Sequence, residues 1–213
     1  MAPADHRDLP AAEAEALRRE LVLYRCALRS VKTWLDNLDE YYSVLTSTNP
    51  VEHIKCRLKS VESIVQKLGA RGLPLTAASA VENLTDIAGA RVICSYTADI
   101  AEIVAVLKTH RDLQVIAEKD YVTHPKPSGY RSFHLVVSVA PGGLFGERSC
   151  PVEIQVRTAA MDFWASLEHK VRYKYDGDIP EHLRRELYLC AERTNTVDER
   201  LYLVHELVGL INE

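Results

Sequence analysis

Three short segments of this chain alternate apolar and polar residues with a period of two, and each leaves an unusual polar side. In HIKCRLK (53–59), Ile54, Cys56 and Leu58 point one way and Lys55, Arg57 and Lys59 the other. In CPVEIQVRT (150–158), Val152, Ile154 and Val156 share a face, opposite Glu153, Gln155 and Arg157. In YRSFHLVVSV (130–139), Tyr130, Ser132 and His134 share a side, opposite Phe133 and Leu135. A two-residue period marks a strand with one covered face. These strands predict a sheet that buries aliphatic side chains on one side and presents cations, a carboxylate and an aromatic ring on the other.

The remaining segments supply the cover. Ser60 caps a helix through Leu68, with Val61, Ile64, Val65 and Leu68 as its stripe and Gly69 at its end. ARVICSY (90–96) and LQVIAEKDYV (113–122) read as strands. A helix over 99–110 starts at Asp99 and turns Ile100, Ile103, Val104 and Leu107 inward, and residues 160–175 read as another. Pro125, Pro127, Ser128 and Gly129 break the chain before Tyr130, and Pro141-Gly142-Gly143 opens a hairpin loop. The fold class is α+β, a mixed sheet flanked by helices.

Two long amphipathic arms frame this core. Residues 11–45 repeat Leu17, Leu21, Leu28, Val31, Leu35, Leu38 and Tyr42, and Asn49-Pro50 closes them. Residues 181–211 repeat Leu183, Leu187, Cys190, Val197, Leu201, Val204, Leu207 and Val208, with a break expected at Thr194-Asn195. Such stripes serve equally for packing on the core and for oligomerisation. The expected division is 1–50 as an N-terminal helical arm, 51–178 as the catalytic domain and 179–213 as a C-terminal arm.

Composition narrows the setting. A length of 213 residues suits one sizeable domain with helical arms. No run approaches about 18 apolar residues, so no transmembrane helix is expected, and the N-terminus lacks an apolar signal core. The expected location is cytoplasmic, with no membrane partner. The five cysteines are widely spaced with no C-x-x-C pair, which argues for reduced, partly buried thiols rather than a disulfide framework or zinc site. The net charge of −4 argues against bulk nucleic-acid binding but leaves room for local basic patches.

The polar faces carry the chemistry. Lys55, Arg57 and Lys59 repel one another unless anions meet them; they read either as a solvated strand face or as a polyphosphate platform. The helix starting at Ser60 adds free N–H groups, and Lys67 lies along it. Glu153 can take Mg²⁺ beside nucleotide phosphates, or accept a proton from an attacking hydroxyl. Asp86, before a strand and near Gly89, reads as a cap or as a second acid. Arg91 follows on that strand. Tyr130 can stack on a purine, while His134 and the loop residue Lys126 can contact phosphates. Singly each has a structural reading; together they hold the parts of a metal–nucleotide phosphoryl-transfer site.

The blocks RLKSVESIVQKL, LTDIAGARVICSYTADI, DYVTHPKPSGYRSFH, VEIQVRT and MDFWASLEHKVRYKYDG resemble the alarmone synthetases of the Rel/Spo family, from about residue 52 to 177. The length and arms are similar to its stand-alone small members. The resemblance implies a nucleotidyltransferase-like core that transfers the β,γ-pyrophosphate of ATP to the 3′-hydroxyl of GDP or GTP, making (p)ppGpp, the stringent-response messenger. It implies Arg57, Lys59, Lys67 and Arg91 at ATP, and Asp86 and Glu153 as catalytic residues and Mg²⁺ ligands, Glu153 also as base. It implies Lys126, Tyr130, His134 and Gln155 at the acceptor, and a homo-oligomer, tetramer favoured. Lys55 has no clear counterpart in the family and reads as a surface residue. Ser128 and Asp162 depart from residues common in relatives. No His-Asp pair for a hydrolase half occurs, so product hydrolysis is not expected. The alternative is a catalytically silent nucleotide- or RNA-binding module on the same fold; RNA binding is not predicted.

Overall fold

The computed structural model describes residues 9–175 and 179–211. The first eight residues of the N-terminal arm, the Asp176-Gly177 end of the last motif, the junction at residue 178 and the final two residues fall outside them. Helix α1 spans Ala11–Leu45 and leads into strand β1, Val51–Leu58. Helices α2 (Val61–Ala70) and α3 (Ala77–Asn83) precede β2 (Ala88–Cys94) and α4 (Thr97–Thr109). Strands β3 (Gln114–Asp120), β4 (Phe133–Val139) and β5 (Cys150–Thr158) follow, then α5 (Ala159–Lys174) and α6 (Glu181–Ile211).

The five strands form one mixed sheet in the order β1-β2-β5-β4-β3. Among the described residues β2 and β5 pair in parallel and the other three strand pairs are antiparallel. Val92 lies between Ile54 and Val156, and Ile154 between Ala90 and Leu135. These apolar rows join one cluster with Leu17, Tyr24, Leu28, Val31 and Leu35 of α1 and with Ile100, Ile103, Val104 and Leu107 of α4. The α+β fold class therefore stands, and α1 is the principal cover of the sheet. Among the described residues, no helix is long and apolar enough to cross a membrane.

Several boundaries differ from expectation. Strand β4 begins at Phe133, not Tyr130. The Tyr130 carbonyl accepts from Lys126 N at 3.1 Å, and the Lys126 carbonyl accepts from Gly129 N at 2.8 Å, so residues 126–130 close a turn. Gly129 has φ +85°, and a Cβ there would stand 2.4 Å from Ala191 Cβ of α6; only glycine fits. Ser132 is buried and donates to the Val156 carbonyl at 3.3 Å, so it anchors the strand rather than lining a site.

Ser60 does cap α2, accepting from Ser63 N at 3.2 Å, but the helix runs past Gly69 and Gly72, at φ +66°, takes the left-handed turn. Asp99 does not start α4; it sits one turn in and accepts from Tyr96 N at 2.8 Å. Helix α3 has no apolar periodicity and shows itself only through its cap, Thr76, which accepts from Ser79 N at 3.1 Å. Helix α6 has no break at Thr194-Asn195. There Asn195 donates to Glu199 Oε1 at 2.7 Å and Thr196 to the Glu192 carbonyl at 3.0 Å, so the polar side chains bond within the helix. All five thiols are free; Cys94 and Cys150 are buried, but Cys56 and Cys190 are exposed rather than partly buried.

Candidate active site

Strand register assembles the polar face. One row runs Lys55–Arg91–Gln155–His134–Lys119 across all five strands. The next runs Arg57–Gly89–Glu153–Val136, and Gly89 leaves the floor open between the arginine and the carboxylate. Two clefts lie over these rows. One, of about 550 Å³, is lined by Lys55, Arg57, Lys59, Gly89 and Arg91. The other, of about 730 Å³, is lined by Lys67, Lys119, Tyr121, Lys126, Tyr130 and His134. Both include Asp86, Glu153 and Gln155, which form the partition between them.

Asp86 sits between α3 and β2, held by one cation from the β1–α2 junction and one from α2. Its Oδ2 accepts from Lys59 Nζ at 3.0 Å and from Lys67 Nζ of α2. Burial alone would raise its pKa, but the hydrogen bonds from Lys67 and Lys59 and their charges hold it below the usual aspartate range. Its other oxygen, Oδ1, is buried without a hydrogen-bond partner.

Glu153 is fixed on both oxygens. Oε1 meets His134 Nδ1 at 3.1 Å, and Oε2 accepts from Gln155 Nε2 at 2.7 Å. Burial and the Asp86 charge push its pKa up, but His134 and Gln155 outweigh them, so the carboxyl stays ionised below the usual glutamate range. His134 Nε2 in turn meets the Tyr130 hydroxyl at 2.8 Å.

The ring of Tyr130 is already in use as a platform. Lys126 Nζ lies 4.7 Å from its centroid and 4.6 Å from that of Tyr121. Burial lowers the Lys126 pKa, partly offset by Glu153. A purine stacking on Tyr130 would move this ammonium aside.

The second acid, the cation row and the tyrosine–histidine pair are thus brought together. Arg57, Lys59 and Arg91 line the first cleft with Lys55, an exposed residue whose Nζ stands 3.5 Å from Asp162. Lys67, grouped with them by sequence, lines the second cleft instead. Lys126, Tyr130 and His134 share that cleft, and Gln155 borders both.

Sequence reasoning did not single out Arg157, Tyr121, Lys119, Glu168 or Arg172. The alternation of β5 placed Arg157 on the Glu153 face, which was a usable signal. Glu168 and Arg172 are an i,i+4 pair at 2.6 Å on α5, a spacing equally common on solvated helices.

A divalent cation fits the partition. Among the described residues no cluster of three or more His, Cys, Asp or Glu forms a closed metal cage. The unpartnered Asp86 Oδ1 and the ionised Glu153 instead offer carboxylate oxygens on the wall between the two clefts. A nucleotide-bound Mg²⁺ needs one or two carboxylates and takes its remaining ligands from phosphates and water.

Residues 56–178 match the family described as a region found in RelA / SpoT proteins. The chain is 43% identical over 187 residues to GTP pyrophosphokinase YwaC of Bacillus subtilis (strain 168), covering 88% of this chain and 89% of that one. Its fold superposes on small alarmone synthetase 1 of Bacillus subtilis bound to its product pppGpp with a TM-score of 0.87 and 35% identity, over 92% of this chain and 99% of that one. The AMPCPP-bound form of the same synthetase gives a TM-score of 0.79 and 34% identity, over 92% and 98% of the two chains.

Proposed function

This chain belongs to the RelA/SpoT family, and from that premise we propose that it makes (p)ppGpp, moving the β,γ-pyrophosphate of ATP onto the 3′-hydroxyl of GDP or GTP. The observation that carries this is the pair of clefts with one shared wall. A transfer between two nucleotides needs two adjoining sites and a reacting centre between them, and Asp86, Glu153 and Gln155 are that wall.

In this reading the first cleft holds ATP, with Arg57, Lys59 and Arg91 against its phosphates. The second holds the guanine nucleotide, with Tyr130 under the base and Lys126 free to follow a phosphate once the base has displaced it. Lys67 reaches the transferred group from the second cleft while anchoring Asp86. Glu153, ionised and oriented by His134 and Gln155, accepts the 3′-hydroxyl proton. The 3′-oxygen bonds to the β-phosphorus, the bond from the β-phosphorus to the α,β-bridging oxygen breaks, and AMP leaves. Members of the family use a divalent metal; we propose Mg²⁺, held by Asp86 and Glu153, which when bound supplies charge neutralisation on the phosphates.

Chromatography of products from ATP with GDP, GTP or GMP tests the reading. A guanosine tetra- or pentaphosphate is expected, and nucleotide binding without product would mark a silent binding module. Tyr130→Ala is expected to weaken acceptor binding by on the order of 1–3 kcal/mol through lost stacking, with ATP binding kept. Calorimetric titration with GDP checks this, and an unchanged affinity would remove Tyr130 from the acceptor site.

We propose a cytoplasmic location, where both substrates are made, and the division into an N-terminal arm (1–50), catalytic domain (51–178) and C-terminal arm (179–213). We further propose a homo-oligomer, tetramer favoured. Val197, Leu201, Val204, Leu207 and Val208 of α6 are each 50–55% exposed, a stripe that a monomer would leave in water. Light scattering at micromolar concentration is expected to give a multiple of 24.0 kDa, and a clean monomer would contradict it.

A further inference from the structure

Arg157 lies under the two clefts and is not among the residues that line them. It is 2% exposed. A guanidinium so deeply buried is unfavourable unless its donors are well paired. Here pairing is incomplete: Nε has no partner, and Asp162 Oδ1, 3.6 Å from Nη1, is shared with Arg91 at 2.8 Å. An aliphatic side chain of similar length would suit the fold better, so the guanidinium is retained for what it holds.

Its contacts close a circuit. Arg157 Nη2 donates to Gln155 Oε1. That bond fixes which end of the amide faces Glu153, so Gln155 Nε2 donates to Glu153 Oε2 at 2.7 Å. Glu153 Oε1 meets His134 Nδ1 at 3.1 Å, and His134 Nε2 meets the Tyr130 hydroxyl at 2.8 Å. The Tyr130 ring centroid lies 5.5 Å from the Arg157 guanidinium carbon, which returns the circuit to its start. Without Arg157, Gln155 Oε1 loses its donor and the amide is held from the Glu153 end alone, and Tyr130 loses one of the two cations at its ring.

We propose that Arg157 is a positioning residue for pyrophosphoryl transfer, setting the Glu153 carboxylate through Gln155 and the acceptor-stacking ring through its contact with Tyr130. This rests on the synthetase reading of the site. Lysine at 157 would keep the charge but not the fork that reaches Gln155, Asp162 and the ring together.

The test is steady-state kinetics on the full chain, with thermal melting as the folding control. Wild type must first form product; if it does not, the synthetase reading fails, whatever Arg157 does. Given an active wild type, Arg157→Lys is expected to lower kcat by about 10- to 100-fold, the usual range for a residue that orients a metal-binding carboxylate from behind. The acceptor KM should rise, while the ATP KM stays at the wild-type value because Arg91 keeps its bond to Asp162. A kcat per folded molecule equal to wild type would overturn the proposal. Gln155→Leu, which leaves Arg157 in place, should reproduce the kcat loss, and full activity there would also overturn it. The double variant should lose less than the product of the two single losses. Full multiplication would show that Arg157 does not act through Gln155.

Discussion

Glu153→Gln should lower turnover by about 10²- to 10⁴-fold, the contribution of a positioned base to proton transfer. The expectation rests on how little else the substitution disturbs. Glutamine has the shape of glutamate, and its carbonyl oxygen can still accept from Gln155 Nε2 where Glu153 Oε2 now does, at 2.7 Å. Its amide can donate to His134 Nδ1, 3.1 Å from Glu153 Oε1, once the imidazole tautomer adjusts. What disappears is the negative charge: no group at that position can then take the 3′-hydroxyl proton, and a cation meets only a poorer amide ligand. ATP and GDP affinities measured without metal should stay close to wild type, because the cations of the first cleft and the ring of the second are untouched. Single-turnover rates with labelled ATP separate the two quantities. Undiminished turnover would remove Glu153 from the chemistry, and a loss confined to KM would recast it as a binding residue.

Asp86→Asn should have the second-largest effect, of a different kind. The carboxylate neutralises Lys59 and Lys67 and leaves Oδ1 unused. An amide neutralises neither lysine and is a poor ligand for a hard cation. The apparent affinity for Mg²⁺ should fall at least about 10- to 100-fold, the cost of losing even an indirect partner of a metal. Turnover at limiting Mg²⁺ should fall with it and recover in part as Mg²⁺ is raised. Two lysines released from their counterion should meanwhile hold ATP phosphates no less tightly. Titration of activity against Mg²⁺ decides the matter. An unchanged Mg²⁺ dependence with weakened ATP binding would reduce Asp86 to an anchor for the lysines.

What sequence shows of this protein depends on how local each interaction is. The Ser60 cap, the period of β5 and the α1 stripe involve residues a few positions apart, and all three reappear in the structure. The pairing of strands is not local. Alternation placed Arg91, Gln155 and His134 on polar faces but could not show that they stand in one row. Lys119 joins that row because β3 carries an irregularity between Val115 and Ala117, and such a bulge shifts the faces that alternation predicts. The start of β4 departs from the alternation for a related reason. Tyr130 continues the alternation, yet its carbonyl is committed to Lys126 N in the turn. Thr194 to Thr196 look like a helix break by propensity, and bonds from Asn195 and Thr196 to residues one turn away keep α6 continuous. Arg157 lay in plain view on the Glu153 face, but only its depth distinguishes a buried prop from a solvated charge.

The central claim is a transfer of pyrophosphate between two bound nucleotides across one carboxylate wall. It is tested most directly by the stoichiometry of the reaction with ATP labelled at the β position, GDP and Mg²⁺, resolving all nucleotides by chromatography. The account predicts one AMP for each guanosine tetraphosphate, with the β label in the product. ADP as the by-product, free pyrophosphate with no labelled guanosine product, or tight binding with no turnover would each contradict it.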